Sequence, residues 1–421
     1  MALTRKHLLK AFGPGILFAS TCIGVSHLVQ STRAGADFGY GLVLFIVAAL
    51  VFKYPFFEFG SRYAAATKKS LLEGYLAEGK WVLWVYFILS LGSMFTVTAA
   101  VTFVTAGMLN NLTGLTIDPA FVSGSILLFC VLILAVGKYG LLDSLLKIVG
   151  TVLLVSTLVA FIAAVAKGRA TPIEGFIPKE LTERNSLIFV IALMGWMPTA
   201  VDLSTWNSLW AIERMKQTGY RPKLNEVLFD FKFGYGVTAI LAICFLTLGA
   251  NVMYGTGVEL SGNSTIFADQ VVTLFTDALG GWSYLIIATA AFSTMFSTTI
   301  TVVDGFGRAM GETVRLLFFK DANARTTYNW MMITVAIISF IFILVLSSNL
   351  KDLVDLATTL SFVIAPVIAF INYKVIMSNK IDAAYRPKPW LKNLAIAGLI
   401  FLSVFALIYI AVYFNMVNLN F

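Results

Sequence analysis

The chain has 421 residues, of which 59% are hydrophobic and 12% charged, with a formal net charge of +8. A soluble domain carries about 25% charged residues, so this composition excludes a soluble globular protein. The positive balance does not indicate nucleic acid, because the basic residues fall in short loops between apolar runs; the implied partners are the lipid bilayer and a small solute or ion.

A bilayer span needs about 20 apolar residues. Such runs are predicted at 11–36, 40–62, 81–109, 120–137, 144–167, 186–212, 231–254, 281–304, 329–347, 353–377 and 391–414. The chain therefore reads as an all-α integral membrane protein, one transmembrane domain over 1–421. The basic stretch Met1 to Lys10 precedes a run without a clean small-residue cleavage site, so it reads as leading into a retained first helix. With the N-terminus in the cytoplasm, residues 1–10 and the loops around 62–80, 138–147, 214–232, 308–325 and 374–392 take 23 of the 30 Lys and Arg. The opposite side takes only Arg33, Lys167, Arg169, Lys179, Arg184 and Lys351. That asymmetry fits the positive-inside rule. It places the C-terminus outside and suggests a plasma (bacterial inner) membrane.

The segment 168–185 reads as a boundary between two repeats, about 11–167 and 186–377, with an extra helix at about 391–414. The stretch 255–280, Gly-rich, acidic and without Lys or Arg, reads as an outer loop covering the seventh and eighth spans.

Two spans are interrupted in their middles, at Ile23-Gly24-Val25-Ser26-His27 and at Gly195-Trp196-Met197-Pro198-Thr199. Unwound backbone in hydrocarbon is tolerated where it lines a cavity or is buried in protein. A matched pair of breaks is the best sequence pointer to a transporter's substrate site. Gly24 allows close approach to the backbone, and Ser26 and His27 follow near the bilayer midplane. In the second break Met197 offers a soft sulfur, Pro198 lacks a donor, Thr199 brings a hydroxyl, and Asp202 follows one turn on. The plain alternatives are that His27 caps a freed carbonyl, that Met197 is packing, and that Asp202 faces a vestibule.

Other polar residues admit two readings each. Lys53 and Glu58 in the second span read as structural partners or as a gate. In the third span, Thr96, Thr98, Thr102 and Thr105 supply hydroxyls. In the eighth, Ser293, Thr294, Ser297, Thr298, Thr299 and Thr301 form a hydroxyl-rich patch followed by Asp304, which suits either a water-filled path or cation coordination. Cys22, Cys130 and Cys244 lie inside apolar runs with neither metal spacing nor an obvious disulfide pairing. No phosphate-binding loop and no nucleophile–base pair is visible, and the chain has two His in total, so it reads as no enzyme and not as an ATP-driven pump.

The stretch Gly13-Pro14-Gly15 … Arg33-Ala34-Gly35-Ala36-Asp37-Phe38-Gly39-Tyr40 resembles the first span of the Nramp family of metal transporters. Ser61-Arg62 through Leu71, Met197-Pro198, Ser297-Thr298-Thr299-Ile300-Thr301 and Ser361-Phe362 … Pro366 support the resemblance. It implies a LeuT-type fold of two inverted five-helix repeats plus an eleventh helix, with helices 1 and 6 broken. It also implies a secondary transporter that holds its substrate between those breaks and works by alternating access. The family's first-span Asp-Pro-Gly-Asn motif falls on Gly24-Val25-Ser26-His27, so its metal-binding carboxylate position is Gly24 and its amide position is His27. Of the family's ligands Met197 is retained; Thr199 stands where a His follows Met-Pro, and the third-span acids fall near Thr98 and Val101.

Three expectations follow. The first is a transporter whose site, around Gly24, Ser26, His27, Met197, Thr199 and Asp202, is rebuilt for something other than manganese or iron. The second is a metal transporter using His27, Met197 and Asp202, with Cys22 as a further candidate, softer ligands that favour copper, zinc or cadmium. The third is a non-transporting sensor or assembly partner that kept the fold. No cofactor is implied beyond a coupling ion, proton or sodium, with Thr98, Ser297, Thr298 and Asp304 as its candidate path.

Overall fold

The structure, a computed structural model, describes residues 11–136, 139–346, 349–414 and 416, with side chains except at 139–150, 152, 153 and 278. The predicted inside residues Arg5, Lys6, Lys10 and Lys138 lie outside the described residues, as does the Lys147 side chain. Regular structure among the described residues is helical throughout.

Among the described residues, eight helices are long and apolar enough to cross a membrane. They are α3 (Val43–Thr67), α5 (Lys80–Thr113), α6 (Pro119–Val136), α10 (Leu224–Val252), α12 (Tyr284–Phe318), α13 (Ala324–Leu346), α14 (Leu350–Met377) and α15 (Pro389–Tyr413). They account for the second to fourth and the seventh to eleventh predicted spans. The fifth is α7 (Tyr139–Lys167). The first and sixth are cut into pieces, which is why length alone does not count them.

The first span runs as α1 (Pro14–Cys22), a π-helical turn (Val25–Ser31) and α2 (Thr32–Phe38). The sixth runs as α8 (Arg184–Gly195), an irregular stretch, a single 3₁₀ turn (Val201–Leu203) and α9 (Ser204–Thr218). Each break has a local cause. Beside Gly24, the Ser26 hydroxyl competes for the Cys22 carbonyl, the backbone alternative that short polar side chains offer. Past Gly195, Pro198 removes a donor that a continuing helix requires.

Two glycine contacts bring α10 against both halves of the first span. A Cβ on Gly234 would lie 2.1 Å from the Gly15 carbonyl oxygen, and one on Gly35 would lie 2.0 Å from that of Leu246. Small residues allow this backbone-to-backbone approach in membrane proteins. Asp230, also on α10, accepts the backbone N–H groups of Gly13 at 3.0 Å and Gly15 at 2.6 Å. It thereby satisfies donors that every helix start leaves free. On the other side of the bundle, α3 packs against α8 and α9, and α5 pairs with α12.

One expectation is corrected. The stretch 255–280 is not simply a loop: it contains a helix, α11 (Ser264–Leu279), capped by the Asn263 side chain at Thr265 and Ile266. A shorter helix, α4 (Leu71–Glu78), begins with a capping box between Ser70 and Glu73. Phe267, Ala268, Val271, Val272 and Phe275 form a buried stripe, the helical spacing that the flanking Gly and polar residues obscure. The helix packs on α5, α7, α10 and α12, so it covers the third and fifth spans as well as the seventh and eighth.

Loops that alternate in sequence gather at opposite ends of the bundle. At one end Lys68, Lys216, Arg308, Arg315 and Arg325, from three different loop regions, line a vestibule of about 490 Å³. Arg62 reaches the Tyr385 carbonyl there. At the other end Arg33 meets Asp355, Lys179 meets Asp37, and Arg184 donates to the Tyr413 carbonyl. This distribution requires an odd number of crossings between the first span and α15, as eleven spans do.

Candidate functional site

The two breaks face each other across a cavity of about 20 Å³, room for about one water molecule. Thr21, Val25 and Ser26 line it from the first span. Val97 and Val101 come from α5, Trp196, Thr199, Ala200 and Leu203 from the sixth span, and Thr298 and Val302 from α12. The lining is apolar with hydroxyls and one indole, and contains no carboxylate. Among the described residues no three His, Cys, Asp or Glu side chains gather as a metal site would need.

The first break is tightly packed. A Cβ on Gly24 would lie 2.6 Å from Thr298 Cγ2 and 2.7 Å from its Oγ1, so the space a side chain would take at position 24 is filled by α12. Thr298 in turn donates within reach of the Ser20 and Thr294 carbonyls. Ser297 pairs with Ser20, and Thr301 turns back to the Ser297 and Thr298 carbonyls. The predicted hydroxyl patch therefore stitches α12 to α1.

His27 is fully buried and turned away from the cavity. Its Nε2 lies 2.9 Å from the Thr238 carbonyl on α10, and its Nδ1 lies 2.8 Å from the Ser26 hydroxyl. A carbonyl only accepts, so Nε2 carries the hydrogen on that side. Both nitrogens are thus engaged in this structure, and His27 ties the first break to α10. Ser26 also lies 3.2 Å from the Pro198 carbonyl, bridging the two breaks.

Of the other predicted residues, Ser26, Thr199 and Thr298 meet at the cavity. Met197 is fully buried and outside its lining. Asp202, also buried, points toward α5, where its Oδ2 accepts from Ser93 at 3.3 Å, and its Oδ1 has no hydrogen-bond partner among the described residues. Thr98 bonds back to the Met94 carbonyl within its own helix. Asp304 lies apart from the hydroxyl patch, held by Arg308 at 2.8 Å, Tyr328 at 2.8 Å and Trp210 at 3.3 Å beside the vestibule. Its four-residue step to Arg308 makes Asp304 half of a helical ion pair.

Two arrangements escaped the sequence reading. Lys53 is fully buried and donates to the carbonyls of Met194 and Gly195 at 2.8 Å each, Thr199 at 2.9 Å and Met197 at 3.1 Å. Its sequence neighbour Glu58 instead takes both forks of Arg62. The available signal was the position itself, since a mid-span ammonium must find carbonyls or a counter-ion. The second is a latch at the end opposite the vestibule. Arg33 on α2 bonds Asp355 on α14 through both forks, at 2.7 and 3.1 Å, and Gln30 joins the same carboxylate at 3.0 Å. The Arg33 guanidinium also lies 4.7 Å from the centre of the Phe189 ring on α8. Sequence separation of over 300 residues hid this pair.

Comparison with known proteins bears on this architecture. The family model described as Natural resistance-associated macrophage protein-like, Nramp, matches residues 15–412. An uncharacterized protein of Pasteurella multocida (strain Pm70) is 36% identical over 411 residues, covering 95% of this chain and 92% of that one. A crystal structure of a mutant manganese transporter from Eremococcus coleocola superposes with a TM-score of 0.75 at 16% identity, covering 98% and 90% of the two chains. A Na⁺-coupled sialic acid symporter, in a substrate-bound outward-open state, matches with a TM-score of 0.59 at 15% identity over 94% and 89%. Mhp1, a nucleobase-cation-symport-1 family transporter in a closed conformation, matches with 0.59 at 13% over 95% and 92%. The fold is LeuT-type, two inverted five-helix repeats plus an eleventh helix with helices 1 and 6 broken, in a multi-pass membrane protein of a transporter family. The chain belongs to the Nramp family.

Proposed function

We propose that this chain is a secondary transporter working by alternating access, with a central site rebuilt for a small uncharged solute or monovalent ion in place of a transition-metal dication. The observation that carries the reading is at Gly24. The position that would hold the family's metal-binding carboxylate has no side chain, and Thr298 fills its space. A dication stripped of water needs anionic or several strong neutral ligands, and a cavity lined by valines and hydroxyls supplies neither.

Ser26, Thr199 and Thr298 are the groups that would orient a solute by hydrogen bonds, with Trp196 as an apolar wall. The Arg33–Asp355 latch closes one end and the Asp304–Arg308 cluster sits at the other, the paired ends that alternating access calls for. The concentration of Lys and Arg at the vestibule end supports a cytoplasmic vestibule and N-terminus and an external latch.

The test is binding and uptake with purified and reconstituted protein. Manganese, cadmium, zinc and magnesium are expected to give no calorimetric binding signal up to millimolar concentration, and saturable uptake is expected within a panel of small neutral solutes and monovalent ions. Saturable manganese or cadmium flux that His27→Ala or Met197→Ala abolishes would overturn the reading.

A further inference from the structure

The side chain of Lys53 occupies a position with the makings of an ion site. Four backbone carbonyl oxygens, from Met194, Gly195, Met197 and Thr199, surround its Nζ between 2.8 and 3.1 Å. An ammonium has three hydrogens, so the shell holds more acceptors than directed bonds can use. Such a shell is held together by charge. Met194 and Gly195 end α8, where the last carbonyls of a helix are free and carry the negative end of its dipole. Met197 and Thr199 add carbonyls from the unwound stretch beyond. No side-chain oxygen takes part, and Lys53 itself is fully buried on α3.

Unwound carbonyls and half-helix C-terminal ends are the parts from which discontinuous helices build monovalent-cation sites. We propose that the sixth-span break is a monovalent-cation site filled permanently by the tethered ammonium of Lys53, and that shortening this side chain leaves a site that takes a free cation of ammonium size. The site adjoins the central cavity through Thr199, which lines both, but the cavity lining contains none of Lys53, Met194, Gly195 or Met197, and the proposal stands whatever the cargo proves to be. Its consequence for wild type is that no dissociable cation binds at this break, so any ionic coupling arises elsewhere.

Thermal unfolding of the detergent-solubilised protein tests it, at constant ionic strength, in ammonium, methylammonium, sodium or tetramethylammonium chloride. Wild type is expected to melt at one temperature in all four. Lys53→Ala is expected to melt at least 10 °C lower in tetramethylammonium and to recover half or more of that loss in ammonium or methylammonium, with saturable dependence on concentration. Lys53→Met, which fills the space with an apolar chain, is expected to lose stability without recovery. A Lys53→Ala protein with no cation dependence, or a wild type with the same dependence, would overturn the proposal. Lys53→Gln guards against an alanine variant that does not fold: its amide keeps two donors without the charge. Melting of that variant within 2 °C of wild type would show that charge is not what the carbonyls require, and would equally overturn it.

Discussion

Gly24 and Thr298 show how one residue's absence of a side chain becomes a statement about its neighbour. The α12 threonine fills the volume that a side chain at 24 would need, and both its γ atoms would be within 2.7 Å of a Cβ there. Overpacking of this kind costs about 1–3 kcal/mol. Gly24→Ala should therefore lower stability by about that amount. Thr298→Ala, which removes the two nearest atoms, should restore at least half of the loss when combined with it, a positive coupling expected for residues in contact. Urea or thermal unfolding of the four proteins in a double-mutant cycle measures this; additivity within about 0.5 kcal/mol would mean the two positions do not compete for space. Position 24 was readable from the sequence as a departure from the family pattern, and Ser26 and Thr199 as cavity residues. The partner of Gly24 was not, because contact between residues over 270 apart depends on how two helices are rotated. The partner of His27 was equally hidden, because the Thr238 carbonyl that fixes it is a backbone atom and leaves no trace in residue identity.

At the scale of elements, each break is held by a helix of the other repeat. The first break is tied to α10 through His27 and Thr238, and the sixth-span break to α3 through Lys53. The same α10 meets both halves of the first span through glycine. This arrangement predicts unequal tolerance of alanine. Gly35→Ala would place a Cβ 2.0 Å from a backbone oxygen of α10, and a backbone cannot move aside without separating the helices. Gly92, in the middle of α5, has nothing within 4 Å of a Cβ, and Gly92→Ala should be neutral or stabilising by up to about 1 kcal/mol through helix propensity. Thermal unfolding should show a drop of several degrees for the first and none for the second; equal effects would mean that the α2–α10 approach does not limit stability. The spans themselves were legible because composition and length decide whether a segment crosses a bilayer. The breaks were legible because Gly and Pro stand where regular helix is otherwise continuous. The helix α11 was not, since its 16 residues between Gly-rich flanks carry neither a span's length nor its uniform apolarity.

For the whole molecule, the latch and the vestibule make the two ends unequal. Arg33, Gln30 and Asp355 join α2 to α14, and Arg33 also stacks on Phe189 of α8, so pieces of the first, sixth and tenth spans are fastened together at one end. The charges are largely shielded from water, with 9% of the Arg33 side chain and 27% of the Asp355 side chain exposed. A two-pronged guanidinium–carboxylate contact in such surroundings is stronger than a surface pair. It is also a contact that exists in one arrangement of the helices and not in one where α2 and α14 part. A group that binds one state of a two-state equilibrium shifts the population toward it by its differential free energy. Removing the latch should therefore raise the fraction of molecules open at that end. Spin labels on Tyr40, just past α2, and on Lys351, in the first turn of α14, would report it: Arg33→Gln should broaden the distance distribution toward longer values, and Asp355→Asn should do the same. The double variant should go no further than either alone, because both changes break one contact. A single distribution shared by wild type and both variants would mean that Arg33 and Asp355 fasten the helices without governing the opening, and that closure at this end rests on the apolar packing beneath them.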